Sequence, residues 1–388
     1  AEGDIGTIIC EKTPFYATKG GQEADKGLIT TASAEFEVKD VLNLANGVYG
    51  HVGVVTKGQL VVGDEINLAI DESLRNDTAK NHSATHLLQA ALREVLGDHV
   101  EQAGSSVNAD RLRFDFTHFS GMSTDEIKNA EAIVNEKISA SLPVRTDVMS
   151  LEDARKTGAM ALFGEKYGDR VRVVNMGDYS VELCGGTHVD NTGVIGSFKI
   201  VSEGSVASGV RRIEAITGQG VLDYYAAVEE VLNESAARAK VTADKLPQKI
   251  DDLQAQIKEL QAEIAKMKSE AAKGSLGEIE IQEINGIRLV TRKLTGVGMN
   301  ELRDLGDDIK SQIGEGVVVL ASEADGKVNL IVTATEGAIA KGAHAGNIIK
   351  QIAPMVGGGG GGRPNMAQAG GKNPAGIDAM LEKVKELM

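Results

Sequence analysis

The amino-acid sequence predicts an α+β, multidomain chain, and three observations carry that prediction. Residues 1–75 consist of short apolar runs broken by glycine and aspartate, as many short strands are. Residues 76–218 mix helical spacing with strict alternation. Residues 219–275 are charged and helical and carry a heptad seam, after which strand patterns return through 276–388. A length of 388 residues suits two or three cores better than one.

Within 1–75, Gly6-Thr7-Ile8-Ile9, Glu35-Phe36-Glu37-Val38 and Val52-Gly53-Val54-Val55 read as strands, and a small β-barrel is expected. Within 76–218 an α+β domain with an antiparallel sheet is expected. Asn76 to Leu96 has helical spacing. Arg111 to Thr117 alternates cleanly and buries Leu112, Phe114 and Phe116 on one face. Thr124 to Ser139 follows as a helix capped by Ser123 or Thr124, and Arg170 to Met176 and Gly196 to Val201 are further strands. In 219–275, Leu246, Ile250, Leu253, Ile257, Leu260, Ile264, Met267 and Ala271 recur at spacings of four and three. That seam places Ile at a positions and Leu at d positions of a coiled coil. It fits an antiparallel hairpin with the helix at 219–240, the nearer partner in sequence, or a seam between two chains.

The last segment, 276–388, reads as an α/β domain: strand, helix, strand, strand, helix, glycine tract, helix. Val317-Val318-Val319-Leu320 and Val328 to Val332 are its core strands, with Asp325-Gly326 as the hairpin turn between them. Six glycines, Gly357 to Gly362, precede Arg363-Pro364 and offer no side chains to pack. Close backbone approach to a ligand explains such a run, with phosphate cradled by N–H groups as its sharper form. A flexible linker is the alternative.

The net charge of -15 weighs against a polyanionic partner, but the charge is uneven. No acidic residue stands between Glu336 and Asp378, where about six would be expected at the chain's mean frequency. Lys341, His344, Lys350, Arg363 and Lys372 do stand there. No apolar run is long enough to span a membrane, and the start Ala1-Glu2-Gly3-Asp4 has no signal-peptide pattern. Its lack of Met is expected of a piece of a longer chain. Two cysteines, Cys10 and Cys184, make no disulfide framework, and a reducing cytoplasm is the expected home.

Two spaced pairs carry the chemistry. His82-Ser83-Ala84-Thr85-His86 puts two imidazoles one helical turn apart on one face. Cys184-Gly185-Gly186-Thr187-His188 is a turn able to wrap a thiolate and a third imidazole around one ion. Three imidazoles and one thiolate suit Zn²⁺. No Ser-His-Asp, paired-carboxylate or Asp-His-His constellation is readable.

These two motifs, together with Gly209-Val210-Arg211-Arg212-Ile213-Glu214-Ala215, resemble the editing-domain signature of alanyl-tRNA synthetases. Thr13 to Ala17 and Gly20-Gly21-Gln22 resemble that family's lead-in barrel, although Thr18-Lys19 stand where the family usually has an acidic residue and a serine. Gly357 to Gly371 resembles its C-terminal domain, itself similar to the RNA-binding tail of a phosphoesterase group. Free-standing alanyl-tRNA editing proteins are similar too. The resemblance implies hydrolysis of seryl- or glycyl-tRNA(Ala), with His82, His86, Cys184 and His188 holding one Zn²⁺. It implies Gln102 lining the pocket and Arg211 meeting the tRNA end. The acid-free window and the resemblance together imply tRNA contacts at Lys350, Gly359, Arg363 and Lys372. A homodimer through the C-terminal region is expected. The family's ATP-dependent half has no counterpart in these residues, so the chain alone is not expected to activate alanine.

Overall fold

The computed structural model describes residues 1–44, 47–160, 168–274, 277, 279–324 and 326–388. The chain divides into two compact units, Ala1–Ser235 and Ala236–Met388.

The first unit begins with β1 (Ile5–Ile9), β2 (Gly27–Thr30), β3 (Glu35–Asn43), β4 (Tyr49–Lys57) and β5 (Asn67–Ile70). They form an antiparallel sheet in the order β1-β4-β3-β2-β5 around Phe15, Ile29, Phe36, Val38 and Val41. The expected barrel does not close: β1 and β5 remain edges. Register shifts coil the β3–β4 ladder. Closure would also need a longer β5 than four residues.

Next comes α1 (Glu72–Leu96), capped by Asp71, which accepts from the Leu74 N–H at 3.0 Å. The cap places its start four residues before the apolar periodicity begins. It is followed by β6 (Gln102–Val107), β7 (Leu112–Thr117), α2 (Thr124–Ser139), β8 (Val144–Ser150), α3 (Leu151–Lys156), β9 (Arg170–Met176) and β10 (Ser180–Leu183). Then β11 (Phe198–Ala207), β12 (Val210–Thr217) and α4 (Gln219–Arg238) complete this stretch. One antiparallel sheet runs β11-β12-β7-β6 and another β10-β9-β8. Leu112, Phe114 and Phe116 are fully buried against Leu87, Leu88 and Leu92 of α1 and Val134 of α2. Ser123 is the cap of α2, in a reciprocal capping box with Glu126. Buried Asn81 pins α1 to the sheet, donating to the carbonyls of Asn108 and Ala109 and accepting from Thr217 Oγ1 at 2.8 Å.

The second unit carries α5 (Leu246–Gly274), β13 (Gln282–Ile284), β14 (Ile287–Thr295), α6 (Met299–Gln312), β15 (Gly316–Ala324) and β16 (Lys327–Ala334). It ends with α7 (Glu336–Ala340), α8 (Ala345–Ile352), β17 (Gly359–Arg363), β18 (Met366–Gly371) and α9 (Ile377–Glu386). The mixed sheet runs β13-β14-β15-β16-β18-β17, with β14 and β15 parallel across the α6 crossover. Leu302, Leu305 and Ile309 of α6 cover one face, and Ile348, Ile349 and Ile352 of α8 with Met380 of α9 cover the other. Val317 to Leu320 is an unbroken apolar run because β15 is buried on both faces. The pairing Ala324↔Lys327 leaves a two-residue turn, with Gly326 at φ 72°; Asp325 lies outside the described residues. The glycine tract is no linker. It forms the edge strand β17, and the side chains of α5 from Ile250 to Met267 that make up the heptad seam are exposed. Among the described residues no helix is long and apolar enough to cross a membrane.

Candidate metal centre

The four predicted donors come together in the first unit. His82 and His86 lie on the buried face of α1, and Cys184 and His188 on the turn that leaves β10. One ligand atom from each lies within 4.8 Å of all the others. Cys184 Sγ is 3.4 Å from His82 Nε2 and 3.3 Å from His188 Nε2. Gly186 is what allows the turn to close. A Cβ there would overlap the His82 ring, whereas at Gly185 it would meet nothing within 4 Å.

Each imidazole has a partner behind it. His82 Nδ1 sits 2.7 Å from Gln22 Oε1, His188 Nδ1 3.1 Å from Ser83 Oγ, and His86 Nδ1 3.4 Å from Glu182 Oε2. For His82 and His188 these contacts leave Nε2 to face the thiol, as in metal sites where the outer nitrogen is anchored, whereas His86 Nδ1 makes no hydrogen bond and has Glu182 only as a charge neighbour. Gln22 also accepts from the Thr187 N–H and donates to Thr187 Oγ1, both at 2.9 Å, so one amide ties α1 to the ligand turn. Arg172 clamps that turn by donating to the carbonyls of Cys184 and Gly186.

Burial sets the protonation states. It lowers His82 to about 4, helped by the Arg172 charge, and holds His86 and His188 well below the usual imidazole range. Burial also raises Glu182 to about 8, against the Ser180 hydroxyl bonded to it. Without an ion the imidazoles are neutral, the form that coordinates metal. A nearby cation would reverse the carboxyl shift and let Glu182 accept from His86 Nδ1–H. Donor set, burial and second-row contacts all fit a metal such as zinc.

A cleft of about 460 Å³ opens over the cluster. Tyr16, Lys19, Thr85, Gln102, Ser105, Arg170 and Arg172 line it together with His82, His86 and Cys184.

Residues 171–214 match the threonyl and alanyl tRNA synthetase second additional domain, residues 286–388 the DHHA1 domain, and residues 1–74 the class II (A) tRNA synthetases. An alanine–tRNA ligase of Lachnoclostridium phytofermentans is 58% identical over 98% of this chain and 44% of its own length. Those of Acetivibrio thermocellus and Clostridioides difficile are 50% and 47% identical over the whole chain, again across 44% of their lengths. The chain belongs with the C-terminal region of alanyl-tRNA synthetases. It therefore spans under half the length of these relatives. The solved C-Ala domain of Aquifex aeolicus alanyl-tRNA synthetase is 28% identical over 28% of this chain and 97% of that domain, with a TM-score of 0.27.

Other residues singled out from the alanyl-tRNA synthetase pattern fall in several places. Gln102, the first residue of β6, does reach the cleft, where its amide donates to Ser105 Oγ at 3.1 Å. Arg211 on β12 is outside the cleft lining and forks onto Glu203, with nitrogen–oxygen distances of 2.6 and 2.8 Å. Lys350, Gly359, Arg363 and Lys372 belong to the second unit and are exposed: on α8, at the two ends of β17, and just past β18. The sequence assigns Gln22 no role of its own, although Gly20-Gly21-Gln22 stands out as a motif. Glu182 and Arg172 carried no sequence signal: they are alternating residues of ordinary strands.

Proposed function

We propose that this chain hydrolyses seryl- or glycyl-tRNA(Ala), with Zn²⁺ on His82, His86, Cys184 and His188. The observation that carries the proposal is the three-imidazole, one-thiol cluster beneath the cleft, two of whose donors, Cys184 and His188, fall inside the stretch that matches the second additional domain. Such an activity is needed because a pocket for alanine discriminates poorly against one methylene less or one hydroxyl more. When bound, the ion supplies a fixed positive charge beside the ester, and its four protein donors favour a shaping role over an open water site. The protein's part is positioning. Gln102 presents an amide to the substrate, and Arg172 and Gln22 hold the ligand turn in place. A closed four-donor shell equally supports a second reading, a tRNA-binding module with structural zinc. In either case the second unit grips the tRNA body through Lys350, Gly359, Arg363 and Lys372, and the exposed seam of α5 joins two copies in the cytoplasm. Attachment of alanine with ATP would belong to the part of the relatives that this chain does not span.

The deciding experiment follows deacylation of seryl-tRNA(Ala) by the purified chain. About one Zn²⁺ per chain is expected, with hydrolysis lost on metal removal and regained on zinc addition. Metal-free protein working at the parent rate would remove the ion from the reaction. A zinc-loaded chain that leaves the ester intact would leave only the binding module.

A further inference from the structure

In the first unit most arginines are neutralised locally. Arg75 pairs with Asp25, Arg93 with Asp98, Arg111 with Glu214, Arg211 with Glu203, and both Arg113 and Arg212 with Asp115. That is the ordinary outcome for a chain with 56 acidic and 41 basic residues. The cleft departs from it. Lys19 and Arg170 line the cleft, are exposed, and enter no ion pair among the described residues. Arg172, beside them, spends its donors on the carbonyls of the ligand turn and on Thr146 Oγ1. Among the described lining residues the single carboxyl group, Glu182, is buried. Asp169 is exposed next to Arg170 but is not part of the lining.

Unpaired surface lysines are common, Lys57 and Lys128 among them. What sets Lys19 and Arg170 apart is convergence. Lys19 comes from the loop after β1 and Arg170 from the first residue of β9, so two separate segments put a cation on the same opening. An opening about 460 Å³ in volume is too small for a duplex and large enough for a terminal nucleoside with its ester. The geometry points to Lys19 and Arg170 as a phosphate clamp for the single-stranded 3′ end of an RNA, holding the last phosphodiesters while the terminal ribose lies over the metal cluster. This rests on the proposed hydrolysis of aminoacyl-tRNA. Guanidinium forks suit phosphate oxygens in two-point contact, and an ammonium adds a mobile point charge.

The test reads binding, so it does not depend on hydrolysis. A short single-stranded RNA ending in CCA, and a second oligonucleotide of the same sequence with neutral methylphosphonate linkages, are titrated onto the whole zinc-loaded chain. The parent should prefer the charged backbone. In Lys19→Glu/Arg170→Glu that preference should fall at least about tenfold, and the slope of log K against log salt should shrink by about 1.4, two single-strand phosphate contacts. Zinc content reports that the fold is intact. Lys57→Glu/Lys128→Glu changes the net charge equally at positions off the cleft and should keep most of the preference. A parent that binds both oligonucleotides alike overturns the clamp. So does a cleft variant that keeps the parent's preference and slope, or one that loses no more than the Lys57/Lys128 control.

Discussion

The two units use glycine in opposite ways. In the metal centre, Gly186 makes room for a side chain: the space a Cβ would fill is occupied by the His82 imidazole and the Gln22 amide. In the second unit, Gly358, Gly360 and Gly362 make room for backbone, since a Cβ at any of them would overlap a carbonyl of the strand beside it, at Gly370, Gln368 or Met366. Gly359 and Gly361, the alternate positions, face open space. One unit concentrates its chemistry in a few buried or half-buried donors and their supports. The other exposes a flat edge of main chain flanked by Lys350, Arg363 and Lys372. Substitutions should therefore act sharply at single positions in the first unit and by alternation in the second.

The largest effects belong to the ligand turn. Cys184→Ala removes the only thiolate, and Gly186→Ala drives a methyl into His82. Both should abolish stoichiometric zinc and cut deacylation by more than roughly 100-fold, beyond what loss of an outer contact costs. Gly185→Ala, one residue away and facing open space, should keep its zinc. Metal analysis of the three variants decides the matter: equal zinc in Gly185→Ala and Gly186→Ala would contradict the packing argument.

Next comes the support. Gln22→Ala leaves every ligand in place but frees His82 Nδ1 and the Thr187 N–H, so zinc affinity should fall by about 10- to 100-fold. Competition with a chromogenic chelator measures this, and a parent-like affinity would reduce Gln22 to a spectator.

The donors were legible from sequence because their spacing is chemical: two histidines one turn apart, and a cysteine and a histidine around two glycines. Gln22 was not, because it reaches the site through tertiary structure, 60 residues from His82. The open first sheet was missed for a related reason. Strand patterns reveal alternation, but closure depends on whether edge strands pair, and β1 and β5 do not. In the second unit β14, α6, β15, β16, α8 and α9 were readable in order, while the short β13 and α7 and the strand β18 were not. The tract from Gly357 to Gly362 was not, since glycine carries no alternation and β17 exists only because β18 accepts it. Arg211 shows the limit of reading charge from sequence: its partner, Glu203, sits across the β11–β12 hairpin.

The heptad seam gives an intermediate test. Ile257 is 55% exposed, so Ile257→Asp should cost the single chain little stability. If the seam joins two copies, sedimentation should show the dimer dissociating to single chains. An associated form that survives this substitution with the parent's dissociation constant would place the dimer contact elsewhere.

The smallest effect on activity, and the sharpest test of the comparison, comes from two adjacent glycines. Gly360→Val must displace the backbone of Gln368 and Ala369 and should lower stability by about 1–3 kcal/mol, seen as a lower melting temperature of the second unit. Gly359→Val meets nothing within 4 Å and has no left-handed φ to forbid it, so stability should change by less than about 0.5 kcal/mol. The same valine nevertheless stands on the open side of β17, where a ligand would approach the main chain. If the glycine edge contacts tRNA, Gly359→Val should weaken binding of tRNA(Ala) several-fold while leaving a minihelix of the acceptor stem less affected, because a separate tRNA-binding unit adds affinity only when both sites are spanned. Gly360→Val, examined below its melting temperature, should lose affinity only to the extent that the edge is displaced. Equal tRNA affinity for the parent and Gly359→Val would mean that the open glycines serve no contact, and the RNA-facing surface of this unit would then lie with Lys350 on α8.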